Sequence, residues 1–131
     1  MKAAIIGSRN ITNIDLSKFI PKETTEIISG GAKGIDTLAK EYALENGLKL
    51  TEFFPEYERY GKGAPLKRNI TIIENADIVL AFWDGKSRGT KFVIDNCHSR
   101  NIPVRVYLAP GFVQMAEYYL YCEKDLIFPR I

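Results

Sequence analysis

Thr24-Thr25-Glu26-Ile27-Ile28-Ser29-Gly30-Gly31-Ala32-Lys33-Gly34-Ile35-Asp36 is the stretch on which the fold turns. The β-branched run Thr24–Ser29 reads as a strand, a glycine-rich turn follows, and the next residues carry the period of a helix. In that helix, about Ile35–Asn46, the residues Ile35, Leu38, Ala39, Tyr42 and Ala43 fall at i, i+3, i+4, i+7 and i+8 and make one apolar stripe. Gly47 supplies a C-terminal stop. Outward from this strand–turn–helix unit, further short apolar runs alternate with helical patterns: Lys2–Gly7, Leu48–Phe54, Asp77–Trp83 and Val104–Leu108. A helix is expected from Pro65, with Leu66, Ile70 and Ile73 on its buried face and Glu74-Asn75-Ala76 at its end. Another starts near Thr90 and turns Val93, Ile94 and Cys97 inward until Asn101-Ile102-Pro103, and a short one is expected within Thr12–Ile20. Strands alternating with helices are βαβ units. The expected fold class is therefore α/β: a single Rossmann-like three-layer domain with a mainly parallel five-stranded sheet and helices on both faces.

The composition fits one such domain. At 131 residues, with 46% hydrophobic and 26% charged residues, the chain is long enough to bury a core and too apolar for disorder. Eighteen Lys and Arg against sixteen Asp and Glu leave a net charge of +2, too small by itself to predict a polyanion partner. No apolar run approaches the roughly 20 residues of a membrane helix, so no membrane partner is expected. The start, Met1-Lys2-Ala3-Ala4-Ile5-Ile6-Gly7, is too short and too quickly polar for a signal peptide, and the cytoplasm is the expected location. Two cysteines, Cys97 and Cys122, and the single His98 support neither a disulfide framework nor a metal site.

In open parallel sheets, ligands bind beyond the carboxyl ends of the strands, where the βα turns converge. Three turns there have a composition that calls for explanation: Gly7-Ser8-Arg9-Asn10, Ser29-Gly30-Gly31-Ala32-Lys33-Gly34-Ile35-Asp36 and Asp84-Gly85-Lys86-Ser87-Arg88-Gly89-Thr90. Glycine lets backbone approach a ligand with no Cβ in the way, and successive amides in such turns form an anion nest at a helix N-terminus. Ser8, Ser29, Ser87 and Thr90 can donate hydroxyls, while Arg9, Lys33, Lys86 and Arg88 can balance phosphate charge. A diphosphate or a nucleotide monophosphate suits that chemistry. The competing reading is that tight βα turns use glycine for geometry alone. Neither a Walker A loop nor a GxGxxG fingerprint is present.

Together with Arg68-Asn69 and Ala81-Phe82-Trp83, these turns resemble the YspA-like branch of the SLOG superfamily, in order through about Val106. The resemblance implies a domain that binds a nucleotide or nucleotide-derived ligand, related to ADP-ribose or NAD or a nucleoside phosphate, as a sensor or carrier. The ligand-binding residues it implies are Gly7, Ser8, Arg9, Ser29, Gly30, Gly31, Lys33, Gly34, Asp36, Asn69, Asp84, Gly85, Lys86, Ser87, Arg88, Gly89 and Thr90. Relatives in that superfamily keep two alternatives open: a phosphoribohydrolase-like N-glycosidase of the Lonely Guy type, and single-stranded DNA binding of the DprA type. Lonely Guy-type enzymes place a Glu in Gly-Thr-x-x-Glu, whereas Gly89-Thr90-Lys91-Phe92-Val93 puts Val93 there. Asp95 is two residues further on and about 200° around the helix. Asp36 and Asp84 are then the remaining candidate carboxylates, Asp84 the weak catalytic candidate, while Asp36 better suits capping its helix or holding the loop. The balanced charge places DNA last.

Several residues carry two readings. Asn69, about 60° from Leu66 on the helix, is a structural contact or touches a base or ribose, while Arg68 falls roughly opposite, on the surface or in a subunit contact. Trp83 packs against a helix or floors a nucleobase pocket. Phe53, Phe54, Tyr57 and Tyr60 surround Pro55, with Arg59 and Lys62 interleaved; the segment Pro55–Gly63 is a lid, a base-stacking loop or an ordinary anchor, and its pattern also suits single-stranded nucleic acid. Cys97 reads as a core thiol, and it diverges from His98 by about 100° on a helix. No cofactor is expected beyond the nucleotide-derived ligand. The ligand-binding domain is expected over residues 1–110, with 111–131 as an extension that packs on it or forms a homodimer or higher homo-oligomer contact. That extension allows a helix over Val113–Tyr121 and a short strand at Leu126–Phe128, with Met115, Tyr118, Tyr119, Leu120 and Tyr121 as an apolar cluster.

Overall fold

The computed structural model describes residues 1–108 and, as backbone, 113–117. Its strands are β1 (Lys2–Gly7), β2 (Glu26–Ser29), β3 (Lys49–Glu52), β4 (Ile78–Trp83), β5 (Val104–Leu108) and β6 (Val113–Glu117). Its helices are α1 (Ile35–Glu45), the short α2 (Tyr57–Tyr60), α3 (Ala64–Glu74) and α4 (Arg88–Ser99). The sheet runs β3-β2-β1-β4-β5-β6, the first five strands parallel, as expected of this α/β chain. The chain builds outward from β1 to β3, then crosses back to start β4 on the other side of β1. That reversal opens a crevice at the carboxyl ends of β1 and β4.

Alternation along the strands makes the three layers. Ala3 and Ile5 of β1 face α1, where Ile35, Ala39 and Ala43 are buried, while Ala4 and Ile6 face α3 and α4 through Ile72, Ile73, Val93, Ile94 and Cys97. Alanine at 3, 4, 39 and 43 removes bulk where helix and sheet approach each other. Helix α1 ends as the sequence predicts: Gly47 takes φ +64° and the Leu48 amide donates to the Ala43 carbonyl at 2.9 Å.

The helix expected within Thr12–Ile20 is reduced to one 3-10 turn, Leu16–Lys18. Asp15 competes with helix here: its carboxylate accepts from the Ser17 amide at 3.1 Å and the Ser17 hydroxyl at 2.6 Å. Phe19 then pins the segment by its edge contacts to Phe82 and Tyr107, at centroid distances of 5.3 and 4.8 Å. Helix α3 is rotated from the expected phase. Ala64, Arg68 and Ile72, one i, i+4, i+8 row, turn inward with Ile73, and Leu66 is exposed. Of the helix that the sequence allows over Val113–Tyr121, the described part is not helical. Val113–Glu117 is a strand pairing antiparallel with β5, Val113 opposite Leu108 and Glu117 opposite Arg105, and so supplies a partner to an edge that would otherwise be bare. Tyr118, Tyr119, Leu120, Tyr121 and the strand expected at Leu126–Phe128 lie outside the described residues. Among the described residues no helix is long and apolar enough to cross a membrane.

Candidate functional site

A cleft of about 480 Å³ opens at the crevice between β1 and β4. Of the residues expected at a ligand site, Gly7, Ser8, Arg9, Gly30, Lys33, Asp36, Asn69, Asp84, Ser87, Gly89 and Thr90 line it. Ser29, Gly31, Gly34, Gly85, Lys86 and Arg88 do not form its lining. Asn10, Ala32, Pro65, Leu66 and Arg68, none of them in that expected set, do.

The loops are tied to one another before any ligand is considered. The Ser8 hydroxyl accepts from the Asp84 amide at 3.3 Å, joining the β1 loop to the β4 loop. The Asp84 carboxylate accepts from the amides of Lys86 and Ser87 at 2.8 and 2.7 Å. These two bonds, Ser87 first, hold the Asp84 carboxyl below the usual carboxylate range. It stays ionised and accepts only, which unsuits it for proton donation. Ser87 caps α4 by accepting from the Thr90 amide at 3.4 Å, leaving the amides of Arg88 and Gly89 without an intrahelical acceptor. Lys86 and Arg88 are exposed and do not line the cleft. Trp83 takes the packing reading: it is half-buried against the core and donates its indole N–H to the Ser87 carbonyl at 3.0 Å.

In the β2 loop, Asp36 does not cap α1; its Oδ2 accepts from the Ala32 amide at 3.0 Å and closes the turn. Arg68 reaches this turn from α3. Its Nη1 donates to the Gly30 carbonyl at 2.7 Å and the Phe53 carbonyl at 3.3 Å, and its Nε donates to Asn69 Oδ1 at 2.8 Å. The glycines divide in a way the sequence did not reveal. A Cβ at Gly7, Gly30, Gly31 or Gly34 would run into Ile35, Arg68, Phe54 or the Arg9 backbone, so close packing within the protein accounts for each. A Cβ at Gly89 would meet nothing within 4 Å, although Gly89 lines the cleft.

Comparison with known proteins places the chain. The family model described as DNA recombination-mediator protein A matches residues 1–57. The Gene 61 protein of Mycobacterium phage D29 is 33% identical over 84 residues, which is 60% of this chain and 67% of the phage protein. The chain belongs to the Gene 61 protein family. No solved structure matches it significantly. For this member of the Gene 61 family, the recombination-mediator match takes in the β1 and β2 loops of the cleft and stops short of α3 and the β4 loop.

Arg68 is the residue that periodicity missed in this Gene 61-family protein. Its outward placement followed from the Leu66 stripe, and the only sequence signal for it was its place beside Asn69 in the resemblance. Burial foremost, helped by the positive charge of Arg9, weakens its hold on its proton, against the opposing pull of Asp36 and Tyr57. Val93, at the position of the Lonely Guy-type carboxylate, is buried in the core, and Asp95 is a surface residue bridged to Lys91 at 2.8 Å. Among the described residues no group of three or more His, Cys, Asp or Glu gathers as a metal site.

Burial, outweighing the Ala32 amide and Arg68, raises the Asp36 carboxyl above its ordinary range. The native state therefore holds that proton more tightly than the unfolded chain does. Asp36 accordingly reduces stability as pH rises from the ordinary carboxyl value through its raised native value. Asp36→Asn keeps an acceptor for Ala32 and removes this penalty. The variant is expected to melt above the wild type at pH 7, with the difference shrinking toward acid pH in paired melts. A difference that grows on acidification would refute this.

Proposed function

We propose that the cleft binds a phosphate-bearing nucleotide or nucleotide-derived ligand, of the ADP-ribose, NAD or nucleoside phosphate kind, as expected of a SLOG-like sensor or carrier. One observation carries this reading: the N-terminal turns of α1 and α4 and the cations Arg9, Lys33 and Arg68 all meet at one cleft at the carboxyl ends of the sheet. Unpaired amides and the positive end of a helix favour an anion. Arg9 and Arg68 repel each other across this space, and a phosphate between them would remove that cost. Of the two carboxylates lining the cleft, Asp36 accepts from Ala32 and Asp84 from Lys86 and Ser87, so both are committed to backbone. Binding rather than glycosidic cleavage is what that arrangement favours.

The open space at Gly89 supplies a variant that isolates the ligand from the fold. Gly89→Val is expected to fold with an unchanged or higher melting temperature, because a Cβ there meets no neighbouring side chain or loop within 4 Å and glycine is a poor helix former. It should lose the thermal shift that ligand gives the wild type. The panel is ADP-ribose, NAD, nucleoside monophosphates and cyclic dinucleotides at millimolar concentration, and the reading fails if none raises the wild-type melting temperature.

The recombination-mediator match over residues 1–57 favours a second reading, single-stranded DNA binding. It requires affinity for an oligonucleotide that falls steeply with salt. An oligonucleotide that competes with NAD for the cleft would join the two readings; salt-insensitive or absent binding removes the second.

A further inference from the structure

A second cleft, of about 400 Å³, opens beside the first, and Arg68 lines both. Its other walls include Glu52, Phe54, Glu56, Tyr60 and Lys67. The large hydrophobic side chains exposed on the described surface are Phe54, Tyr57, Tyr60, Leu66 and Leu44, and all but Leu44, which is on α1, lie on the segment bordering these two clefts. Phe54 is 59% exposed even though its ring is seated on Gly31, where a Cβ would collide with it. It is held in place by backbone and still presents ring surface to water. Arg59 and Lys67 lie over the Tyr60 ring, 5.2 and 5.7 Å from its centroid. Exposed rings grouped with cations and flanked by carboxylates are poorly suited to an aliphatic ligand. They match a flat heterocycle with exocyclic amino groups.

We propose that this second cleft is a nucleobase subsite for the ligand whose phosphate occupies the first. The base stacks on Phe54, Tyr60 with its two cations forms the facing wall, and Glu52 or Glu56 accepts from an exocyclic amino group. The proposal rests on the anion-binding reading of the first cleft, and a base tied to that phosphate belongs to a mononucleotide, a dinucleotide or a short single strand. Ordinary anchoring of the 55–63 segment predicts none of these dependences.

Calorimetric titration separates the possibilities, using inorganic pyrophosphate, ADP, NAD and a 5′-phosphorylated trinucleotide against the wild type, Phe54→Leu and Tyr60→Ala. Phe54→Leu keeps apolar bulk over Gly31 and removes the ring. In the wild type at least one nucleoside-bearing probe should bind about tenfold or more tighter than pyrophosphate, as expected of one stacked base. Both variants should lose that advantage with pyrophosphate affinity unchanged, and the probe that loses most identifies the source of the base. If Phe54→Leu also weakens pyrophosphate by disturbing the Gly31 turn, Tyr60→Ala decides. Wild-type affinity for all nucleoside probes in Tyr60→Ala overturns the subsite and leaves the anion reading standing. Wild type that binds the nucleoside probes no tighter than pyrophosphate overturns the subsite likewise, and no binding of pyrophosphate overturns both.

Discussion

Gly34→Ala is expected to lose about 3 to 4 kcal/mol of stability, a drop in melting temperature of roughly 10 °C or more for a chain of this size. Two costs combine. Gly34 sits at φ +74° and ψ −122°, a backbone region closed to residues with a side chain. Its missing Cβ would also fall on the backbone carbonyl of Arg9, which cannot move without disturbing the bond between the Ile11 amide and the Ser8 carbonyl, 3.1 Å. The same contact joins two of the loops that form the cleft. Ligand affinity should therefore fall along with stability, and urea melts in parallel with titrations of ADP would register both. A melting temperature within 2 or 3 °C of the wild type, a cost under about 1 kcal/mol, would mean that the β1 and β2 loops do not meet as described.

Removing the guanidinium of Arg68 carries the second large effect. Arg68→Met keeps the aliphatic stem on α3 but leaves the Gly30 and Phe53 carbonyls without their donor and the buried Asp36 without its counter-charge. The expected loss is about 2 kcal/mol of stability, together with at least about a tenfold loss of affinity for ADP. Because Arg68 favours the ionised form of Asp36, the stability loss should be larger at neutral pH than below the ordinary carboxyl range, where Asp36 is protonated in both proteins. Arg68→Lys should rescue little, since one ammonium cannot reach Gly30, Phe53 and Asn69 in the planar arrangement seen here. Full rescue by lysine would reduce Arg68 to a diffuse charge.

The order of elements was readable because each strand of the parallel sheet is a short apolar run and α1 repeats its stripe cleanly from Ile35 to Ala43. Both β1 and β5 begin and end where the apolar runs do. Helix α3 was harder, since Leu66, Ile70 and Ile73 and the row Ala64, Arg68, Ile72 are both usable faces, and a row containing arginine reads as the outer one. The acceptors that reverse this, the Gly30 and Phe53 carbonyls, come from distant turns and leave no local trace. The tail misled for a related reason: Val113–Glu117 becomes a strand because β5 offers it an edge. At the site, composition singled out all three loops but not the direction of their side chains. Lys86 and Arg88 are exposed and outside the cleft lining, in a turn whose Lys86 and Ser87 amides are both gathered by Asp84. Most of the glycines that looked made for a ligand are instead taken up by Ile35, Arg68, Phe54 and Arg9, and Gly89 is the one in the cleft lining that is not.

Titration of the 15N-labelled protein with inorganic pyrophosphate, followed amide by amide by NMR, tests whether the cleft is an anion site. Saturable shifts should be largest at Arg9, Lys33, Arg88 and Gly89, with Lys49 and Asp77 at the opposite end of the sheet unmoved. Absence of saturable shifts at millimolar pyrophosphate, or shifts gathered at that opposite end, would contradict it.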